Sequence, residues 1–206
     1  MNNRDYRKFG RGEYYHIYNR GNAKADIFLD DEDFSFFLLR LAQNLFPARY
    51  QGVRLSPLPE RSFSMISYCL MPNHFHFLLR QDNDIPTSRL LSKVCTSYSK
   101  YFNKKYNRVG HVFQDAFKQI TVHDNSYLLW LSAYIHNNPV VAGFTSNPFE
   151  YQWSSYGEFF GVGEKNICDP RIILDQLKSK EEYKRFVRES TLLIKERKDL
   201  KSVLFD

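Results

Sequence analysis

Hydrophobic and polar positions alternate along this chain in two rhythms, one of period two and one near 3.6. EYYHIYNRG, from Glu13 to Gly21, interleaves tyrosine and isoleucine with polar residues and predicts a strand closed by glycine. From Asp30 to Phe46, acidic capping candidates precede Phe34, Phe37, Leu38, Leu41 and Leu45 at helical spacing, which predicts a helix. PARYQGVRLSPLPER is rich in proline and predicts a loop. SFSMISYCLM and HFHFLLR predict two strands, and Pro72-Asn73 between them predicts a tight turn and an antiparallel hairpin. IPTSRLLSKVCTSYSKYFNKKY predicts a second helix, with Leu91, Val94, Tyr98 and Tyr101 or Phe102 as its apolar stripe. VFQDAFKQITV predicts a further strand, interrupted by Asp115 and Ala116. NSYLLWLSAYIHNN, with Asp124 as its cap, predicts a third helix ending near Asn138, because proline disfavours the helical region for the residue before it.

The resulting order is strand, helix, strand, strand, helix, strand, helix. It predicts an α+β fold: a ferredoxin-like antiparallel sheet with helices on one face. Beyond Asn147 the pattern weakens. NPFEYQWSSYGEFFG is aromatic enough to pack back on the sheet, and DPRIILDQL and KEEYKRFVRESTLLIKERKDL predict two more helices. The expected organisation is therefore a domain over residues 1–160 and a C-terminal helical extension over 161–206, whose role the sequence leaves open.

Composition adds a partner class. Aromatic residues make up 17% of the chain and the formal net charge is +6. Cations neutralise phosphates and rings stack on unpaired bases, so nucleic acid is a natural partner; a basic surface without that role is the alternative. Cys69, Cys95 and Cys168 are widely spaced and form no CxxC pair, which argues against a zinc finger or a disulfide framework. The sequence holds no membrane-length apolar run and its start lacks an apolar signal core, so a cytoplasmic location and no membrane partner are expected.

Candidate chemistry centres on MPNHFHFLLR. Alternate strand residues share a face, so His74 and His76 point one way, and Phe75 and Phe77 the other. Two neutral imidazoles at that spacing can chelate a divalent ion, or they can be solvated on an open sheet face. In AYIHNN, Tyr134 and Asn138 lie one turn apart on one helix face. A phenol and an amide oxygen presented together suit a nucleophile and a third metal ligand; a packing stripe and a C-terminal cap are the alternatives.

The segments YHIYNRG, SYCLMPNHFHFLLR, YFNKKYNRVGHVFQDAFKQI, AYIHNNPVVAGF and YQWSSYGEF succeed one another in an order that resembles the REP-associated tyrosine transposases. These are single-tyrosine HUH transposases, relatives of the single-strand insertion-sequence enzymes, and the likeness runs from about Tyr15 to Phe160. The resemblance implies cleavage and rejoining of single-stranded DNA beside imperfect hairpins through a 5′-phosphotyrosine link. It implies Tyr134 as nucleophile, His74, His76 and Asn138 as metal-site residues, and Mg²⁺ or Mn²⁺ as cofactor. Single-strand insertion-sequence relatives work as dimers, whereas the REP-associated branch is compatible with a monomer. Three features depart from the family pattern: a long loop over Pro47–Glu60, Lys118 where arginine is expected, and the tail beyond Phe160.

Cations suited to the DNA backbone are Arg89, Lys93, Lys100, Lys104, Lys105 and Arg108, with Lys118 and an N-terminal arm of Arg4, Arg7, Lys8 and Arg11. Three functions compete: a strand-cutting and strand-joining transposase, a non-catalytic single-strand or hairpin binder of the same fold, and a metal-dependent phosphoesterase using water. Tyr98 and Tyr101, on the basic helix, are rival nucleophiles.

Overall fold

The computed structural model describes residues 10–50, 56–163 and 165–202. Four strands, β1 (Tyr14–Arg20), β2 (Phe63–Met71), β3 (His74–Gln81) and β4 (Lys118–Val122), form one sheet in the order β2-β3-β1-β4. Every pairing is antiparallel. With α1 (Asp31–Leu45) between β1 and β2, and α2 (Thr87–Lys105) between β3 and β4, this is the ferredoxin-like order expected from the sequence. Asp30 caps α1 by accepting a hydrogen bond from the Asp33 amide, satisfying one of the orphan donors of the first turn.

The pleat sorts the side chains. Tyr15, Ile17, Tyr68, Leu70, Phe75 and Phe77 face α1 and α2 and build one core with Phe37, Leu41, Leu91, Val94, Tyr98 and Phe102. The Phe37 and Tyr98 rings meet edge to face at 5.1 Å, an arrangement worth about 0.5–1.5 kcal/mol beyond buried area. The Pro72-Asn73 turn is held from outside. Its Pro72 carbonyl accepts from Ile27 and Phe28, and its Asn73 carbonyl from Gly21. Gly21 itself cannot carry a side chain, since a Cβ would stand 2.0 Å from the Ala25 carbonyl oxygen.

Beyond the helices expected on one face, the opposite face also carries α3 (Asn125–Val141) and α5 (Lys180–Ser202), with one turn of helix, α4 (Arg171–Leu174), before the latter, because this face too holds an apolar set to bury. Leu128, Leu131 and Ile135 of α3 pack with Ile66, Cys69 and Leu78 of the sheet and with Tyr183 and Val187 of α5. The outer edge of β2 is covered by chain from the aromatic segment and the tail: the Leu70 amide donates to Trp153, and Met65 bridges to Cys168. Covering an edge removes a row of unpaired backbone groups that would otherwise recruit another strand. Among the described residues no helix is long and apolar enough to cross a membrane.

Three elements differ from expectation. β4 begins at Lys118 rather than Val112; upstream of it only Phe113 bridges, to Gly21, because Asp115 and Ala116 break the run. α3 continues through Pro139 to Val141. Proline lacks the amide that would return to Ile135, but it sits in the last turn, and the helix still closes with Ala142 donating to Asn138. DPRIILDQL folds only as the single turn α4, flanked by turns.

A buried polar chain fixes α3 against α5. His136 is fully buried; its Nδ1 lies 2.8 Å from the Tyr183 hydroxyl and its Nε2 2.8 Å from Ser155 Oγ. Tyr183 donates onward to Ser132, so its oxygen accepts from His136 Nδ1–H, and Nε2 accepts from Ser155. The ring is thus held neutral, and burial lowers its pKa to about 3. The folded state therefore binds fewer protons than the unfolded chain between about pH 3 and the ordinary histidine value near 6.5. The contribution is complete above pH 6.5 and declines as pH falls through that window. Urea unfolding should show stability falling from pH 7 to pH 4, with a shallower fall in His136→Gln.

Candidate functional site

Register places the face of the sheet beneath α3 in rows. Lys118, Tyr18, His76 and Cys69 pair in succession across β4, β1, β3 and β2. His16 lies two residues from Tyr18 and His74 two from His76, so all share this face. The His74 and His76 ring centroids are 5.1 Å apart. Phe75 between them is fully buried on the other side of the sheet. His74 Nδ1 lies 2.6 Å from Asn73 Oδ1, and His76 Nδ1 lies 3.0 Å from His16 Nε2.

α3 crosses above this face and brings Tyr134 to it. The Tyr134 ring stands edge-on to His76 at 5.7 Å and to His16 at 6.3 Å. Its other side stacks on Trp130 at 5.5 Å, which stacks in turn on Tyr127 at 6.0 Å. One turn on, the buried Asn138 donates its Nδ2 to the Tyr134 carbonyl at 3.0 Å, which leaves Oδ1 as its acceptor end. The Tyr134 pKa is raised, chiefly by burial and then by Tyr18 and Tyr127, while the Asn138 amide pulls it down. Lys118 lies over the neighbouring Tyr18 ring, 5.9 Å from its centroid.

The rival tyrosines on α2 lie elsewhere. Tyr98 is fully buried in the core on the far side of the sheet and donates to the Ile27 carbonyl. Tyr101 stacks on Phe36 and donates to Asp33. Two residues absent from the candidates do join the site: His16, and Tyr18, whose ring is also 5.7 Å from His76. The alternation of YHIYNRG already puts both on one strand face. Which strand lay beside the histidines depended on sheet order.

The predicted cations divide. Arg11, Arg89, Lys100, Lys104, Arg108 and Lys118 are exposed, and Lys93 donates to the Ser56 carbonyl at 2.5 Å. Arg4, Arg7 and Lys8 lie outside the described residues. Lys105 is not an open phosphate contact as expected. Its Nζ sits 2.8 Å from Asp30, 2.9 Å from Glu32 and 3.0 Å from Asp33, a fully buried carboxylate. Helical spacing cannot show that α1 presents acids to this one lysine. Lys105→Ala should therefore cost about 1–2 kcal/mol of stability, read by urea unfolding. It should leave the salt dependence of DNA binding unchanged, whereas Lys100→Ala should reduce that slope by about 1.

Lys100 also borders a groove of about 620 Å³, lined by polar residues such as Ser99, Asn103 and Gln114 and by apolar ones such as Val112 and Phe113. The groove's far wall is tied to the histidine end of the sheet. Gln114 donates to the Arg20 carbonyl, and Arg20 pairs with His74.

A ferredoxin-like sheet carrying two histidines beneath a helical tyrosine defines an α+β protein with a phenol–imidazole site. Residues 49–138 match the family model described as Y1_Tnp, Transposase IS200 like. The fold is similar to a solved REP-associated tyrosine transposase bound to a REP hairpin, with TM-score 0.55 and 14% identity over 82% of this chain and 92% of that one. A structure from Deinococcus radiodurans R1, described as a candidate transposase, matches with TM-score 0.40 and 14% identity over 64% of this chain and 94% of that one. No curated protein matches the sequence.

Proposed function

We propose that this protein is a tyrosine-dependent nuclease and strand-transferase for single-stranded DNA beside imperfect hairpins. The observation that carries the proposal is the approach of Tyr134 to His76, two side chains distant in sequence and brought to one face by the fold. The Tyr134 hydroxyl oxygen attacks the scissile phosphorus. A phosphorus–tyrosine ester forms, the bond to the 3′ oxygen breaks, and the phenolic proton leaves through solvent while the departing oxygen gains one. The product is a 5′-phosphotyrosine and a free 3′-hydroxyl. Because the ester bond is conserved in the link, attack by a 3′-hydroxyl reverses the step and joins strands.

The donor set fits a divalent cation, Mg²⁺ or Mn²⁺: two imidazoles share one face, and Asn138 keeps its amide oxygen as acceptor. His74, His76 and Asn138 would hold it, and when bound it would polarise the phosphate and lower the pKa of a phenol that burial otherwise raises. The chain's own residues orient that phenol: Trp130 supports one side of the ring and Asn138 anchors the turn below it. The exposed cations and the groove beside Lys100 would bind the phosphate backbone and an unpaired nucleotide. A single chain gathers the tyrosine and both histidines, which favours a monomer as the working unit.

Incubation with hairpin-flanked single-stranded DNA and Mn²⁺ separates the competing readings. A covalent protein–DNA adduct with cleavage is the expected result. Cleavage without an adduct would favour a water-using phosphoesterase, and binding without cleavage a non-catalytic hairpin binder.

A further inference from the structure

The two site histidines have the same nitrogen engaged, and by different partners. Asn73 donates its Nδ2 to the Lys24 carbonyl at 3.2 Å, so the amide is oriented with Oδ1 toward His74. A carbonyl-type oxygen only accepts, so at 2.6 Å His74 Nδ1 must carry the proton. In a neutral ring that leaves Nε2 as the lone-pair nitrogen. His76 Nδ1 faces a second imidazole instead, His16 Nε2, at 3.0 Å. Both rings are nearly buried, with 7% of His16 and 8% of His76 exposed, so one must donate and the other accept. His16 Nε2 is taken up by His76 Nδ1. Its contact is with the ligand, not with the ligand's target.

We infer that His16 and Asn73 are positioning residues. Each accepts a hydrogen bond from the Nδ1–H of its neighbouring histidine and thereby holds His76 and His74 as the tautomers that present Nε2 to a divalent cation. This inference rests on the metal-assisted reading above. Its physical basis is general: the nitrogen that binds a metal is selected by the hydrogen bond the other nitrogen makes. Asn73 also closes the hairpin turn, so one residue sets both the strand register and the proton position. The usual orienting partner of a ligand histidine is a carboxylate, a carbonyl or water. An imidazole in that place is uncharged when it accepts, so it adds no negative charge to a site that must receive a phosphodiester.

Long-range ¹⁵N–¹H correlation spectra of the metal-free protein read the tautomers directly. His74 and His76 are expected as Nδ1–H forms in the native protein. His16→Phe should release His76 toward the Nε2–H form, and His16→Gln, whose amide oxygen can still accept, should retain Nδ1–H. Titration with Mn²⁺ alone should give an affinity about 10- to 100-fold weaker in His16→Phe, largely recovered in His16→Gln. An Nε2–H form of His76 in the native protein would overturn the assignment, as would equal Mn²⁺ affinity in the native protein and His16→Phe. If His16→Phe fails to fold, the native spectrum and the Gln variant still decide. Native protein with both rings as Nδ1–H but no Mn²⁺ binding would retire the metal-assisted reading and leave the tautomer assignment standing.

Discussion

Tyr134→Phe should abolish the covalent protein–DNA adduct and reduce strand cleavage by about three orders of magnitude or more, while leaving hairpin affinity within a few-fold of native. Loss of a nucleophile is among the largest single effects a side chain can have, because no other group supplies the bond. The substitution is isosteric except for one oxygen. The ring would keep its stacking on Trp130 and its edge contacts with His16 and His76, so the fold should be undisturbed. Affinity should persist because phosphate contacts on exposed cations supply most binding. Denaturing gels of labelled DNA with the protein report adduct and cleavage together. Cleavage at native rate in this variant would assign the chemistry to water or to another residue.

His74→Ala or His76→Ala should also remove cleavage, by about 10²- to 10⁴-fold, with little change in DNA affinity. The imidazoles would hold the cation of the proposed reaction, whose contribution of several kcal/mol translates at about tenfold per 1.4 kcal/mol. The two variants should differ in stability. His74 is half-exposed beside the turn, whereas His76 is nearly buried and hydrogen-bonded to His16. Truncating His76 leaves a buried nitrogen without its partner, a penalty of about 1–3 kcal/mol. Thermal unfolding should therefore separate His76→Ala from His74→Ala even where their cleavage defects are equal. Restoration of cleavage by raising Mn²⁺ would place the defect in cation affinity. Unchanged cleavage in both variants would remove the histidines from the chemistry.

Strand alternation was enough to place His74 and His76 on one face and Phe75 and Phe77 in the core. Helical spacing was enough to put Tyr134 and Asn138 on one side of α3. Both patterns are local, and local periodicity is what a single sequence exposes. The contacts it could not expose are those made by sheet order and by helices from distant segments. β1 lies beside β3, which brings His16 and Tyr18 against His76; nothing within YHIYNRG states that neighbour. Lys105 follows the helical spacing of its basic neighbours, yet the acids at the start of α1 enclose it. Pro139 was expected to end α3 near Asn138, and the helix runs on to Val141 because a last-turn proline sacrifices only one backbone bond. The tail beyond Phe160 carried no functional signal. Its Tyr183 and Val187 share a core with α3, and His136 ties the two helices together from the side away from Tyr134.

Sheet order also creates a competitor that a tyrosine substitution alone does not dismiss. Tyr18 and Tyr134 stand at the same ring distance from His76. Asn138 accompanies only Tyr134, and Tyr18 is seated on the sheet, where its ring leans on the imidazoles. Mass-spectrometric mapping of the nucleotide-modified peptide after protease and nuclease digestion distinguishes them. The account predicts a single phosphonucleotide-bearing peptide containing Tyr134; modification at Tyr18, or at any tyrosine of α2, would contradict it.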